Sequence, residues 1–291
     1  MTSLAAALGR ALQALQQAGN PEARLEAEVL LMHVLHAPRT YLYSRWSEDL
    51  GARCEARYCD LLRRRESGEP LAYITGHREF FGLDFHVDKR VLIPRPETEL
   101  LVEYALSWLK ARCAAGTRIA DIGTGSGAIA VSLAAGCPEV SVYAADISPG
   151  ALEVARKNAG AHGLAGRITF LQGDLASPLP EPVDLLLANL PYVKESALPR
   201  WCGAAQLELA WEPDLALNGG QDGLAPIRRL VSSAPVHLRP EGMLLLEIGC
   251  DQASEVAAVC RAYFPTADIE THRDLAGLPR MVSVRLPGGS R

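Results

Sequence analysis

The chain reads as an α/β protein with a mostly parallel sheet and helices on both faces, preceded by a small helical bundle and a connecting β-hairpin. Three observations predict this. From Thr117 onward, short apolar runs alternate with helical patterns, placing strands near 117–122, 140–145, 168–172, 183–188, 242–248, 267–271 and 280–286. Before residue 70 the apolar residues recur at helical spacing. The last two runs, around Ile269 and Val282-Ser283-Val284, are separated only by a turn at Gly277-Leu278-Pro279, too short for a crossover helix. The final strand is therefore expected to be antiparallel.

The elements follow in order. A first helix is expected over Leu4 to Gln17. A second starts at Asn20 as N-cap with Pro21 in the first position, and Leu25, Val29, Leu30, Met32, Val34 and Leu35 supply its apolar face. A third runs from about Ala52 to Arg65 and stops at Ser67-Gly68-Glu69-Pro70. This block shows no Gly-rich loop and no clustered titratable pair, so it is either a plain helical bundle or a recognition module for a large substrate. His77 to Asp88 reads as a hairpin with Gly82 in its turn. His77 and His86 within it read as structural, because neither has a metal-like or triad-like neighbour in sequence. Ile93-Pro94-Arg95-Pro96-Glu97-Thr98-Glu99 then opens a helix over Thr98 to Lys110, where Glu97 and Glu99 suit the positive end of the helix dipole. The domain boundaries expected are 1–75, 76–92 and 93–291.

Composition narrows the class. With 291 residues, 48% of them hydrophobic, the chain buries one full α/β domain and a smaller unit. A net charge of −5 and a pI of about 5.8 suit a stable nucleic-acid partner poorly. Arg63-Arg64-Arg65 reads as a solvated helix face, with RNA phosphate contact as the alternative. Seven cysteines at 54, 59, 113, 137, 202, 250 and 260 lack C-x-x-C spacing, so they read as reduced, mostly buried thiols and not as disulfides or a zinc site. Met1-Thr2-Ser3-Leu4-Ala5 lacks the basic start of a signal peptide, and no apolar stretch reaches the roughly 18 residues of a membrane span. A soluble cytoplasmic protein is expected.

Two stretches carry chemistry. Thr117 to Ala130 is a strand, a Gly-rich turn and the start of a helix, in which bare backbone and free N–H groups approach a ligand closely. Gly123, Gly125 and Ala128 also satisfy the dinucleotide fingerprint. Asp146 ends the next strand about 20 residues beyond Gly123, where a ribose-binding carboxylate belongs. Asp174 ends the third strand and serves either an adenine amine or a turn. The second stretch is Asn189-Leu190-Pro191-Tyr192, directly after the apolar run Val183 to Ala188. It offers a carboxamide, free carbonyls and an aromatic face just beyond a buried strand, where ligands of open α/β sheets bind. Such a set suits a planar amide or amine nitrogen.

Taken with Pro70-Leu71-Ala72-Tyr73-Ile74-Thr75-Gly76-His77-Arg78-Glu79-Phe80-Phe81 and Ile93 to Glu99, these motifs give a chain that resembles the release-factor glutamine methyltransferases over nearly its whole length. Glu212-Pro213-Asp214-Leu215-Ala216-Leu217 and Gly219-Gly220-Gln221-Asp222-Gly223 extend the likeness. The resemblance implies a Rossmann-like methyltransferase sheet and transfer of a methyl group from S-adenosyl-L-methionine, leaving S-adenosyl-L-homocysteine. The acceptor it implies is the side-chain amide of the glutamine in the Gly-Gly-Gln loop of peptide-chain release factors. A monomer without membrane or stable nucleic-acid partners is implied, with the helical block recognising the substrate.

By the same resemblance, Asp121, Gly123, Thr124, Gly125 and Gly127 build the cofactor turn, Asp146 with Ile147 takes the ribose, Asp174 with Leu175 the adenine, and Asn189 borders both ligands. Asn189, Leu190, Pro191 and Tyr192 are the implied catalytic and substrate-binding residues. The family tetrapeptide is usually Asn-Pro-Pro-Tyr, so Leu190 is a departure. It keeps the backbone carbonyl, loses the fixed φ and adds an N–H, which implies activity with looser preorganisation. The alternatives are an adenine amino-methyltransferase acting on DNA or RNA, a nicotinamide enzyme, and a non-catalytic binding module.

Overall fold

In the computed structural model, which describes residues 2–112, 116–198 and 208–288, Ser3 caps the first helix by accepting the Ala6 N–H at 3.2 Å. This helix, α1 (Leu4–Gln17), buries Leu4, Ala7, Leu8, Ala11 and Leu15, the i, i+3, i+4 face that its sequence lays out. The next, α2 (Ala23–Leu35), begins two residues later than the sequence predicts. The Asn20 carboxamide oxygen accepts the Glu22 N–H at 2.8 Å, so Asn20 and Pro21 form a local turn ahead of the helix. The remaining helices of the block are α3 (Arg39–Ser44), α4 (Ala52–Glu66) and α5 (Leu71–Thr75). Leu30, Leu31, Leu42, Tyr58 and Ile74 are among the residues that close its core.

The expectation that this block lacks a titratable cluster is corrected. On α2, Leu25 is exposed, whereas Glu26 and Glu28 are buried. Glu26 accepts two hydrogen bonds from Arg65 at 2.5 and 3.2 Å, and Arg65 also pairs with Glu208. Glu28 accepts from Arg24 at 3.2 Å, Arg39 at 2.7 Å and the Tyr43 hydroxyl at 2.5 Å. Buried carboxylates persist only when paired in this way. Of the basic run expected to be solvated, Arg63 is exposed and Arg64 half-buried, but Arg65 is buried.

The hairpin forms as β1 (His77–Phe80) and β2 (Leu83–His86). Its two turn residues, Phe81 and Gly82, both have positive φ (51° and 74°), as the twist of a two-residue hairpin demands. Glu99 does more than face a dipole, because its carboxylate accepts the Phe81 N–H at 3.0 Å. A 3-10 turn at Pro96–Thr98 leads into α6 (Glu99–Arg112).

The alternating part folds as β3 (Arg118–Ile122), α7 (Ala128–Gly136), β4 (Ser141–Asp146), α8 (Pro149–Ala161), β5 (Ile168–Gln172), β6 (Val183–Ala188), α9 (Asp214–Leu217), α10 (Ala225–Ser233), β7 (Leu238–Glu247), α11 (Ala253–Tyr263), β8 (Asp268–Arg273) and β9 (Pro279–Arg285). The seven strands are ordered β5-β4-β3-β6-β7-β9-β8, and β9 runs antiparallel to both β7 and β8. Apolar clusters cover both faces of the sheet, which is why β6 reads as one nearly unbroken apolar run. Ile122 aligns with Ala145 on one side and Ala188 on the other. The carboxyl ends of β3, β4 and β6 therefore lie side by side where the strand order reverses, the crevice in which such sheets bind ligands.

Contacts divide the chain into two units, Met1–His77 with Ala204–Trp211, and Arg78–Gly203 with Glu212–Arg291. Among the described residues no helix is long and apolar enough to cross a membrane. Cys54, Cys59, Cys137, Cys250 and Cys260 are free thiols, but of these only Cys137 and Cys260 are buried, which corrects the expectation of mostly buried thiols; Cys113 and Cys202 lie outside the described residues.

Candidate active site

The turn after β3 is built on glycine for steric reasons. Gly123, Gly125 and Gly127 have φ of 73°, 55° and 80°, a region that other residues enter at a cost. A Cβ on Gly123 would stand 3.1 Å from the Leu190 side chain, and one on Gly127 would stand 3.1 Å from Ala155 of α8. Beneath the turn, Asp121 is wholly buried. Its Oδ2 accepts the Thr124 hydroxyl at 2.6 Å and the Ala130 N–H at 3.2 Å, so it fastens both ends of the turn. Burial pushes its carboxyl up to about 7. Asn158, which the sequence did not single out, donates to the Ser126 carbonyl at 2.8 Å and bonds both backbone groups of His86.

Asp146 closes the turn from the next strand. Its Oδ2 accepts the Gly125 N–H at 2.9 Å and its Oδ1 accepts the Ser148 N–H at 2.8 Å. Burial raises its pKa, opposed by those backbone donors. Asp174 is exposed and pairs with Arg229 on α10, and Leu175 beside it takes a positive φ of 52°. At the end of β6, the Asn189 carboxamide nitrogen donates to the Thr98 hydroxyl at 3.1 Å. Leu190 is 4% exposed and packs into the core cluster, touching the space above Gly123. The Tyr192 hydroxyl donates to Glu247 Oε1 at 3.4 Å, and its carbonyl accepts from Gln252 at 3.0 Å. Burial, with the Glu247 carboxylate next, pushes the phenol up to about 12.

One cavity of about 380 Å³ gathers most of the residues that the sequence singled out. Gly123, Thr124, Gly125, Asp146, Ile147, Asp174, Leu175, Asn189, Leu190 and Pro191 all line it. Asp121, Gly127 and Tyr192 do not. The first two hold the turn from below and behind, and the Tyr192 ring lies against the core. Arg95, Thr98 and Arg229 also line the cavity and were not assigned any chemistry from sequence. Arg95 pairs with the buried Glu212, which also accepts the Ile93 N–H at 3.1 Å. The signal for Arg95 and Thr98 was the Ile93-to-Glu99 motif itself. The Gly219-Gly220-Gln221 loop is accounted for by packing, since a Cβ on Gly219 would meet Gly223 at 2.7 Å and Gly220 has φ of 85°.

The cavity fits an adenosine bearing an amino-acid tail. Its volume falls in the range of small-molecule sites, roughly 300–1,000 Å³. A Cβ on Gly125 would meet only the Gly123 carbonyl, at 3.9 Å, so the turn presents bare backbone. Of the two carboxylates that line the cavity, Asp146 and Asp174, that of Asp146 stands at the end of β4, where a ribose is bound in sheets of this kind.

Comparison with known proteins agrees with this geometry. The chain matches the family models for the PrmC N-terminal domain over residues 6–76 and the methyltransferase small domain over residues 97–207. A release factor glutamine methyltransferase of Moorella thermoacetica is 46% identical over 279 residues, covering 96% of this chain and 96% of the relative. One of Bordetella pertussis is 43% identical over 261 residues, covering 89% and 93%. A solved methyltransferase of Pyrococcus furiosus superposes with a TM-score of 0.52 at 18% identity, over 72% of this chain and 91% of that one, a likeness of fold.

Proposed function

We infer the function from one premise: the chain belongs to the release factor glutamine methyltransferase family. It is an enzyme that methylates the side-chain amide nitrogen of the glutamine in the Gly-Gly-Gln motif of peptide-chain release factors, using S-adenosylmethionine. The observation that carries the reading is the Asn189 carboxamide at the rim of the cavity, held by Thr98, next to the glycine turn.

The chemistry follows from the weakness of an amide nitrogen as nucleophile. When bound, S-adenosylmethionine supplies an electrophilic methyl group on a sulfonium and leaves as S-adenosylhomocysteine. Gly123, Thr124, Gly125 and their neighbours would hold its methionine part, Asp146 with Ile147 its ribose, and Asp174 with Leu175 its adenine. Asn189 Oδ1 and the Leu190 carbonyl accept the two N–H bonds of the glutamine amide. These acceptors orient the nitrogen lone pair and draw it away from the amide carbonyl, which is catalysis by positioning and electrostatics. Pro191 shapes the wall beside the glutamine. The methylated amide is cationic and acidic, so it returns its proton to water without a dedicated base.

The Asn189 tetrapeptide sits at the cavity, while residues 1–75 form a block without chemistry of its own. We assign that block to recognition of the release factor, the hairpin at 76–92 to the connection, and 93–291 to the reaction. Purified enzyme with methyl-labelled S-adenosylmethionine, offered release factor, ribosomal RNA or duplex DNA in parallel, tests the reading. Label is expected in the release factor alone, and label in nucleic acid would favour the adenine amino-methyltransferase instead.

A further inference from the structure

We propose that Thr98 and Glu247 are positioning residues that hold the Asn189 carboxamide with its oxygen towards the substrate amide. The inference rests on the glutamine-methylation reading and adds the part of the protein that sets the direction of its key hydrogen bond. An asparagine carboxamide has nearly the same shape in its two flipped orientations, but only one presents an acceptor to an N–H. Something must select it.

The geometry supplies the selection. Asn189 lines the cavity, and its Nδ2 donates to Thr98 Oγ1 at 3.1 Å. The Thr98 hydroxyl also faces the Glu247 carboxylate at the end of β7 and favours its charged form. Thr98 and Glu247 are 4% and 2% exposed, so water does not compete for either group. An ionised carboxylate only accepts, and a hydroxyl has a single proton to give. Thr98 therefore donates to Glu247 and turns its lone pairs to Asn189, which must answer with its NH₂ group. The Asn189 oxygen is left on the other side. The Tyr192 hydroxyl donates to Glu247 Oε1 at 3.4 Å, so it too keeps the carboxylate an acceptor. Flipped, Asn189 would set a donor against the donors of the substrate amide.

Three single variants and one double variant test the relay. T98V removes the hydroxyl and keeps the shape, T98S restores the hydroxyl, and E247L removes the terminal acceptor. T98V is expected to lower kcat on release factor about tenfold, the factor that one lost orienting hydrogen bond sets. Affinity for S-adenosylhomocysteine should be unchanged by calorimetry, and T98S should recover kcat to within about twofold. E247L should lower kcat similarly, and the T98V/E247L double variant no further than T98V, because both act along one path. Wild-type kcat in T98V, or a double-variant loss equal to the product of the single losses, would overturn the relay. T98V with T98S decides the matter even where E247L fails to fold. Side-chain amide NMR of Asn189 reads the orientation without any substrate. One of its two Nδ2 protons should be protected from exchange in the wild type and unprotected in T98V, and equal rapid exchange of both in the wild type contradicts the relay. Absence of methyl transfer by wild-type enzyme would instead strike the substrate reading, leaving the NMR result to decide the relay.

Discussion

The backbone N–H of Gly125 donates to the Asp146 carboxylate at 2.9 Å, so the residue assigned to the ribose also holds the glycine turn in place. Substitution at Asp146 should therefore be read with two variants. D146A is expected to weaken S-adenosylmethionine by roughly 1.5–3 kcal/mol, the worth of a hydrogen bond to a charged group. D146N keeps an acceptor for one of the two N–H groups and should lose less. Calorimetric affinities that match the wild type in both variants would place the ribose elsewhere.

Asn189→Ala should separate binding from chemistry. Cofactor affinity is expected to change little, since the glycine turn and Asp146 do not depend on the Asn189 carboxamide. Turnover on release factor is expected to fall on the order of 100-fold or more, the loss that follows removal of one preorganised partner at a reacting centre. Near wild-type turnover in single-turnover kinetics would remove Asn189 from the mechanism.

Leu190→Pro restores the usual family residue at a site that this chain has repacked. The Leu190 side chain is buried against the turn glycine and in the core cluster, so proline leaves part of that space empty. The backbone carbonyl remains, and methyl transfer should be kept. Thermal unfolding should show a loss on the order of 1 kcal/mol, as for a buried methylene or two, partly offset by the stiffer unfolded chain. Loss of activity with stability intact would give the Leu190 side chain or N–H a direct part in the reaction.

Stability and activity should move oppositely with pH. Burial pushes Asp121, ordinarily at 3.8, and Glu247, ordinarily at 4.5, up to about 7. Folded protein then keeps protons that the unfolded chain has already released. The contribution of these groups is full below their unfolded values and is lost as pH rises through about 7. Asp88, held at about 2 chiefly by Arg90, works the other way and loses its contribution as pH falls from 3.8 towards 2. The Tm should therefore fall between pH 5 and about 7.5, and D121N should flatten that slope. Glu247 faces Thr98, Tyr192, Arg280 and Glu97, and its ionised form can only accept, whereas its protonated form can also donate to Thr98 and release the constraint on Asn189. Methyl transfer should rise with pH through about 7 in the wild type, and T98V should lose that rise. A kcat that ignores pH across this interval in both proteins contradicts the assignment.

Much of this architecture was readable in the residues because the sheet is buried on both faces. Val183 to Ala188 could be little other than an internal strand, and the short link between the last two strands left them no parallel option. The cavity residues from Gly123 to Asn189 were readable because they follow directly on such strands. Sequence reasoning failed where tertiary partners decide. Asn20 reads equally as a helix cap or as the turn it forms with Glu22. Glu26 and Arg65 lie on different helices, so nothing local announces their pairing. Glu247 closes an apolar strand, and its part at Asn189 depends on Thr98, which arrives from before α6.

The most direct measurement of the central claim is the mass-spectrometric location of the methyl group. Release factor and its variant with alanine in place of the Gly-Gly-Gln glutamine are each incubated with the enzyme and S-adenosylmethionine, then digested. One methyl is expected on the glutamine side chain of the unaltered factor, with none on the variant and none on the enzyme peptide containing Gln221. A methyl group on any other residue, or equal methylation of the alanine variant, would contradict the account.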